Sequence, residues 1–136
     1  MIMLLRLFGV LLLTVSFGGC AEPAYTNVDN AQWKELLAQG VPLYDIRRPE
    51  EWRQTKVVEG SQTLTYVDAS GQANPVFLPR FTAEVGKNDP VVLICRSGSR
   101  TDKLARELTA RGYTQVYNVR HGITSWIAEN HPVVKN

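Results

Sequence analysis

Val91-Val92-Leu93-Ile94-Cys95-Arg96-Ser97-Gly98-Ser99-Arg100 is the stretch on which the fold turns. Its first four residues form an uninterrupted β-branched and leucine run, opened by Asp89-Pro90, and such a run suits a strand buried on both faces of a parallel sheet. Small and polar residues follow without a gap. From Thr101 to Arg111 the apolar positions Leu104, Ala105 and Leu108 then fall at helical spacing. Lys103, Glu107 and Arg111 make i,i+4 charge pairs on another face of that helix, and Gly112 is a natural stop. The segment reads as strand, loop and helix, the repeating unit of an α/β domain.

The flanks continue the pattern. Upstream, Val28 to Leu37 reads as a helix with Asp29 as cap, Gln32 as its capping-box partner and Gly40 as terminator. Val41 to Ile46 is a short apolar run between turn residues, hence a strand. Pro49 opens a brief helix with Glu50 and Glu51 in its first turn, where acids are favourable. Thr63 to Val67 alternates as a strand, Asp68 to Pro75 is a loop, and Phe77 to Val85 is helical. Downstream, Val116 to Val119 gives a last strand and Ile123 to Glu129 a last helix before Pro132. Strands alternating with helices imply an α/β domain around a mostly parallel sheet flanked by helices, with ligands beyond the carboxyl ends of the strands. Trp33, Trp52 and Trp126 lie on the expected helices and read as core anchors.

The chain has 136 residues, enough for one hydrophobic core, and its 44% hydrophobic and 21% charged residues exclude disorder and fibrous repeats. The first segment differs. After Arg6, the apolar run Leu7 to Phe17 ends in Gly18-Gly19-Cys20-Ala21, which reads as an export signal and is too short for a spanning helix of roughly 18 apolar residues. Phe17-Gly18-Gly19-Cys20 resembles a bacterial lipobox, with cleavage before Cys20 and a lipid on its thiol; ordinary cleavage after Ala21 is the alternative. The expected organisation is therefore a signal at residues 1–19, a tether at 20–25 and one domain at 26–134, exported to the periplasm and held at a membrane through a lipid. Loss of the signal takes Arg6 from the 15 basic residues and leaves them one ahead of the 13 acidic ones. No basic tract points to nucleic acid. Cys95 becomes the single thiol of the mature chain, and an unpaired thiol in an exported protein is a liability unless its reactivity is used.

Cys95 lies where open α/β sheets place their active sites. Gly98 permits a tight curl, the NH groups of a loop entering a helix converge on an anion, and Arg96 and Arg100 add positive charge. The same field favours thiolate over thiol, so a nucleophile and an anion cradle coincide. Oxyanions with an electrophilic sulfur fit such a site, thiosulfate being the simplest. The competing explanation is that Cys95 is a small apolar residue closing a core strand.

The loop Cys95-Arg96-Ser97-Gly98-Ser99-Arg100 resembles the active-site loop of rhodanese-like domains. Tyr44-Asp45-Ile46-Arg47-Arg48-Pro49-Glu50-Glu51-Trp52 is similar to that family's aspartate-x-arginine strand end and proline-x-glutamate-aromatic turn, and Gly60-Ser61 to its glycine-alanine pair. Gly112 to Val119, with Gly122, Trp126 and Pro132, is similar to its closing stretch, so the likeness covers about residues 26 to 134. The resemblance implies a three-layer α/β fold and a sulfurtransferase. Cys95 would carry a persulfide, Arg96, Ser97, Gly98, Ser99 and Arg100 would cradle the anion, and Asp45 and Arg47 would support the loop from behind. It implies a sulfur oxyanion or persulfide as donor, a thiol as acceptor, a protein thiol among the candidates, and no metal or organic cofactor.

Four residues separate Cys95 from Arg100, the short loop of the family's sulfurtransferases, whereas its phosphatases and arsenate reductases use one residue more. The remaining alternatives are a binding module without turnover and such a phosphatase or reductase. The sequence departs from the family at Lys56 to Glu59, where a glycine-histidine segment is usual, and at His121-Gly122, where a glycine pair is usual. His121 reads as a solvated surface residue before a proton donor. Arg47 and Arg48 could extend a positive rim, although Arg47 beside Asp45 and Glu50 reads as a structural ion pair. The long stretch from Asp68 to Pro79, with Arg80 after it, is expected to wall the site and select the donor.

Overall fold

A computed structural model describes residues 18–19 and 24–136. The expected signal through residue 17 and the lipidation at Cys20 lie outside the described residues. The elements are β1 (Thr26–Val28), α1 (Asn30–Ala38), β2 (Leu43–Asp45), α2 (Pro49–Thr55), β3 (Gln62–Thr63), α3 (Phe77–Glu84), β4 (Val91–Ile94), α4 (Ser99–Ala110), β5 (Val116–Val119) and α5 (Gly122–Ala128). All strand pairs are parallel and the order is β1-β5-β4-β2-β3, so β4 is the central strand, as its uninterrupted apolar run requires.

Strand alternation splits β4 between two cores. Val91, Leu93 and Cys95 pack into the cluster with Phe77 and Phe81 of α3 and Leu104 and Leu108 of α4. Val92 and Ile94 pack into the opposite cluster with Trp33 of α1 and Ile123 and Trp126 of α5. Helices thus cover both faces, and the expected three-layer α/β architecture is what forms. Trp33 and Trp126 meet with ring centroids 4.3 Å apart. Trp52 differs from the expectation: it is half-buried, and its indole NH donates to Asp45 Oδ1 at 3.1 Å rather than anchoring a core.

The local signals act as read at most element ends. Asp29 Oδ1 accepts the Gln32 NH at 2.8 Å while Gln32 Oε1 accepts the Asp29 NH at 2.9 Å, completing the capping box of α1. Three readings need correction. Val28, read as the start of the first helix, instead ends an edge strand, Thr26–Val28, on β5 that is too short and too polar for a periodicity to reveal it. Of the expected strand Thr63 to Val67 only Thr63 pairs in register, together with Gln62 before it; beyond them Leu64 and Tyr66 donate single hydrogen bonds to Asp45 and Ile46 carbonyls. On α4, Glu107 pairs with Arg111 at 3.3 Å as expected and also accepts the Tyr66 hydroxyl at 2.7 Å, whereas Lys103 makes no ion pair among the described residues.

Candidate active site

Register brings the site together. Asp45 at the end of β2 pairs with Ile94 at the end of β4, so the residues after both strands emerge side by side at the carboxyl edge of the sheet. Cys95 leaves β4 fully buried. The loop then curls back until the Gly98 NH donates to Cys95 Sγ at 3.1 Å, with Thr101 Oγ1 3.3 Å from the same sulfur. Thr101 is itself buried and donates to the Gly98 carbonyl at 3.1 Å, which fixes its hydroxyl beneath the sulfur. The NH groups of Ser97, Ser99 and Arg100 donate to no acceptor among the described residues, so they remain available for an anion at the start of α4.

Glycines let this curl exist. Gly98 has φ +100°, and a Cβ there would run into the carbonyl of Arg120. Gly122, with φ +61°, packs directly on the backbone of Arg96 and Ser97, which leaves no room for a side chain. Ile123 NH then donates to the Cys95 carbonyl at 2.9 Å, and Thr124 donates to the Arg96 carbonyl from its NH at 3.1 Å and from its hydroxyl at 2.9 Å. The start of α5 therefore clamps the outer side of the loop. At His121-Gly122 one glycine is enough for this close approach; His121 is exposed, in line with its reading as a surface residue.

The charged residues sort into three groups. Asp45 and Arg47 are buried and joined, with Arg47 Nη2 to Asp45 Oδ2 at 2.8 Å and Nε to Oδ1 at 2.9 Å. Arg47 also donates to Thr55 Oγ1 at 2.6 Å and to the Lys56 carbonyl at 2.9 Å. It thereby ties the end of β2 to the C-terminal end of α2. Glu50 is not its partner, contrary to the sequence reading; it pairs with Arg48 at 2.6 Å on the surface. Arg96 is exposed and makes no ion pair among the described residues.

Arg100 belongs with Glu51. Its Nη1 donates to Oε2 at 2.8 Å and its Nη2 to Oε1 at 2.7 Å, a bidentate pair between α4 and α2. Glu51 also accepts the Arg48 NH at 3.0 Å. Burial pushes the Glu51 carboxyl up, yet the Arg100 hydrogen bonds, the Arg48 NH and both guanidinium charges outweigh it and lower it from its ordinary 4.5 to about 2. The same pair holds Arg100 above the ordinary arginine value. Glu51 was legible in the sequence only as a first-turn acid, and Thr101 only as a helix residue; no local spacing connects either to Cys95.

Because the Glu51 pKa is depressed in the folded state, its stabilisation is present in full above the ordinary 4.5 and is lost as pH falls toward about 2. Urea unfolding across that window should show stability falling with acid, and the Glu51→Gln protein should show a shallower fall. Equal slopes would mean that the pair contributes nothing.

A cleft of about 220 Å³ between α2 and α5 touches the loop at Arg96 and is walled by Glu51, Thr55, Thr124 and Ile127. A wider cleft, about 540 Å³, lies along α2 against Lys135 and includes none of the loop residues, so size does not mark the chemistry here. The stretch after Asp68 folds on itself: Asp68 Oδ1 accepts the Ser70 and Gln72 NH groups, each at 2.9 Å, and Val67 bridges to Ala73. α3 begins at Phe77, as the helix reading had it, so the irregular stretch ends at Val76 and not at Pro79, and Arg80 is taken up by Glu84 at 3.1 Å.

A parallel five-stranded sheet with a cysteine curled into a helix start at its carboxyl edge is matched along the sequence as well. Residues 29–129 match the Rhodanese-like domain family. The chain belongs to that family. It is 32% identical over 101 residues to thiosulfate sulfurtransferase 16, chloroplastic, of Arabidopsis thaliana, covering 72% of this chain and 83% of that one. It is 37% identical over 103 residues to the thiosulfate sulfurtransferase GlpE of Tolumonas auensis, covering 75% and 88%. Among solved structures, that of Rv0390 from M. tuberculosis superposes with a TM-score of 0.70 at 25% identity, covering 82% of this rhodanese-like chain and 98% of the other.

Proposed function

We propose that this rhodanese-like protein is a sulfurtransferase that moves sulfane sulfur, from thiosulfate or an organic persulfide to a thiol or cyanide, through a persulfide on Cys95. One observation carries the reading: the Cys95 sulfur sits inside its own loop, held by the Gly98 NH, with the neighbouring NH groups of Ser97, Ser99 and Arg100 unengaged. The names of the Arabidopsis and Tolumonas relatives support it.

The chemistry follows from that placement. The thiolate attacks the outer sulfur of thiosulfate, the new S–S bond forms as the old one breaks, and sulfite leaves with the bonding pair. The enzyme is left as Cys95–S–S⁻, whose terminal charge falls to the loop NH groups. An acceptor thiolate or cyanide then takes the outer sulfur and returns the Cys95 thiolate. Burial of Cys95 suits a carrier, because an added sulfur about 2.05 Å beyond Sγ is what an acceptor must reach. Neither step calls for a metal or an organic cofactor. Asp45 and Arg47 brace the β2 to α2 turn that carries Glu51. A phosphatase reading is disfavoured by the short loop and by Arg100, whose guanidinium is already committed to Glu51. The N-terminal sequence adds a location: exported, and lipid-anchored at Cys20.

Intact-protein mass spectrometry tests the reading. Reduced protein treated with thiosulfate or an organic persulfide should gain one sulfur, about 32 Da, and lose it on addition of thiol or cyanide, as a covalent sulfur carrier must. No gain from either donor by folded protein removes the transferase reading and leaves a binding module.

A further inference from the structure

Arg100 ends the loop that holds Cys95, yet its charge is spent on a carboxylate from another helix. Both Glu51 oxygens are engaged by its terminal nitrogens, at 2.8 and 2.7 Å, in a pair whose side chains are only 21% and 10% exposed. Arg48 also reaches Glu51, through its NH at 3.0 Å and its Nη1 at 3.9 Å. The only arginine of the loop itself without a carboxylate partner among the described residues is therefore Arg96, which is exposed. The Gly98 NH donates to the Cys95 sulfur, Arg96 is the loop's exposed cation, and Arg100 and Glu51, engaged at both oxygens, form a pair of zero net charge.

We propose that Glu51 is a specificity-determining residue: by cancelling the charge of Arg100 beside Cys95, it limits how tightly the loop holds doubly charged oxyanions and tunes the site toward singly charged sulfur donors. The proposal rests on the transferase reading above and adds the charge class of the donor to it. Its physical basis is that an uncompensated cation attracts a dianion twice as strongly as a monoanion. A loop with a free Arg100 would hold thiosulfate, and the sulfite that must leave, more tightly than a persulfide or thiosulfonate.

The test compares thiosulfate, a dianion, with methanethiosulfonate, its singly charged counterpart, in steady-state transfer to cyanide by the full chain. In the Glu51→Gln protein the KM for thiosulfate should fall about five- to tenfold relative to that for methanethiosulfonate, the worth of one added charge at this range and screening. Inhibition by sulfite should strengthen in step. Arg100→Gln, which leaves Glu51 only the more distant Arg48 guanidinium at 3.9 Å, should move the ratio the opposite way, and the Glu51→Gln/Arg100→Gln protein should return it to within about twofold of the parent, because both pairs sum to zero charge. If Glu51 only braces the loop, both KM values rise together and the ratio stays put, which overturns the proposal. Should Glu51→Gln fail to fold, the Arg100→Gln and double variants decide it by the same ratio. A parent protein that forms no Cys95 persulfide from either donor defeats the transferase reading, and this proposal with it, a result distinct from an unmoved ratio.

Discussion

Serine in place of Cys95 is expected to end sulfur transfer, with turnover falling at least about a thousandfold, or roughly 4 kcal/mol of barrier. A hydroxyl at that position cannot form the S–S bond on which both half-reactions depend. The fold should survive, because the Gly98 NH and the Thr101 hydroxyl that contact the sulfur at 3.1 and 3.3 Å can hydrogen-bond an oxygen as well. Circular dichroism and thermal melting check that condition, and cyanide-coupled thiosulfate turnover reads the loss. The same variant separates an enzyme from a binding module, since a module would keep its affinity for a partner without the thiol. Transfer that persists in Cys95→Ser at the parent rate would exclude Cys95 as carrier.

Methionine in place of Arg47 should destabilise the domain by roughly 3–5 kcal/mol, the cost of stranding a buried charge. Asp45 is fully buried, and its carboxylate would keep only the Trp52 indole NH and the Arg47 backbone NH, both at 3.1 Å. Thr55 Oγ1 would lose its donor too, and the Lys56 carbonyl would keep only the Thr55 hydroxyl at 3.2 Å. Against a typical domain stability of about 5–15 kcal/mol this is a large fraction. The melting temperature should drop by roughly 12–20 °C for a domain of this size. Asp45→Asn combined with Arg47→Met should recover part of the loss, because removing both charges is far cheaper than removing one. A drop below about 1 kcal/mol in the single variant would show that Asp45 is solvated in some other way.

Asp45 and Arg47 show how far local reading reaches. Their adjacency and the aspartate-x-arginine pattern were enough to pair them, and the structure joins them at 2.8 Å. Assigning Glu50 to the same group failed, because the choice among Glu50, Glu51, Arg47 and Arg48 depends on which side of α2 faces the sheet edge. Glu50 looks outward to Arg48, while Glu51 turns inward, 49 positions in sequence from its partner Arg100. The two serines and Gly98 of the loop were identifiable from their position after a buried strand. Thr101 was not, since a threonine in a first helical turn is ordinary until the helix start folds back over the preceding cysteine.

Local patterns along the chain are enough to place the central strand, the loop after it, the helix that follows and the cysteine at their junction. Each rests on signals that act over a few residues: an apolar run, a glycine in a curl, a cap, an i,i+4 spacing. They are enough to place the family for the same reason, because those signals recur in a fixed order along the chain. Packing between distant elements is what produces β1, sets Gly122 against the outside of the loop, and joins Arg100 to Glu51. Each of these depends on a hydrogen bond, a close approach or an ion pair between elements far apart in sequence, and such contacts take their geometry from packing, which no local pattern encodes.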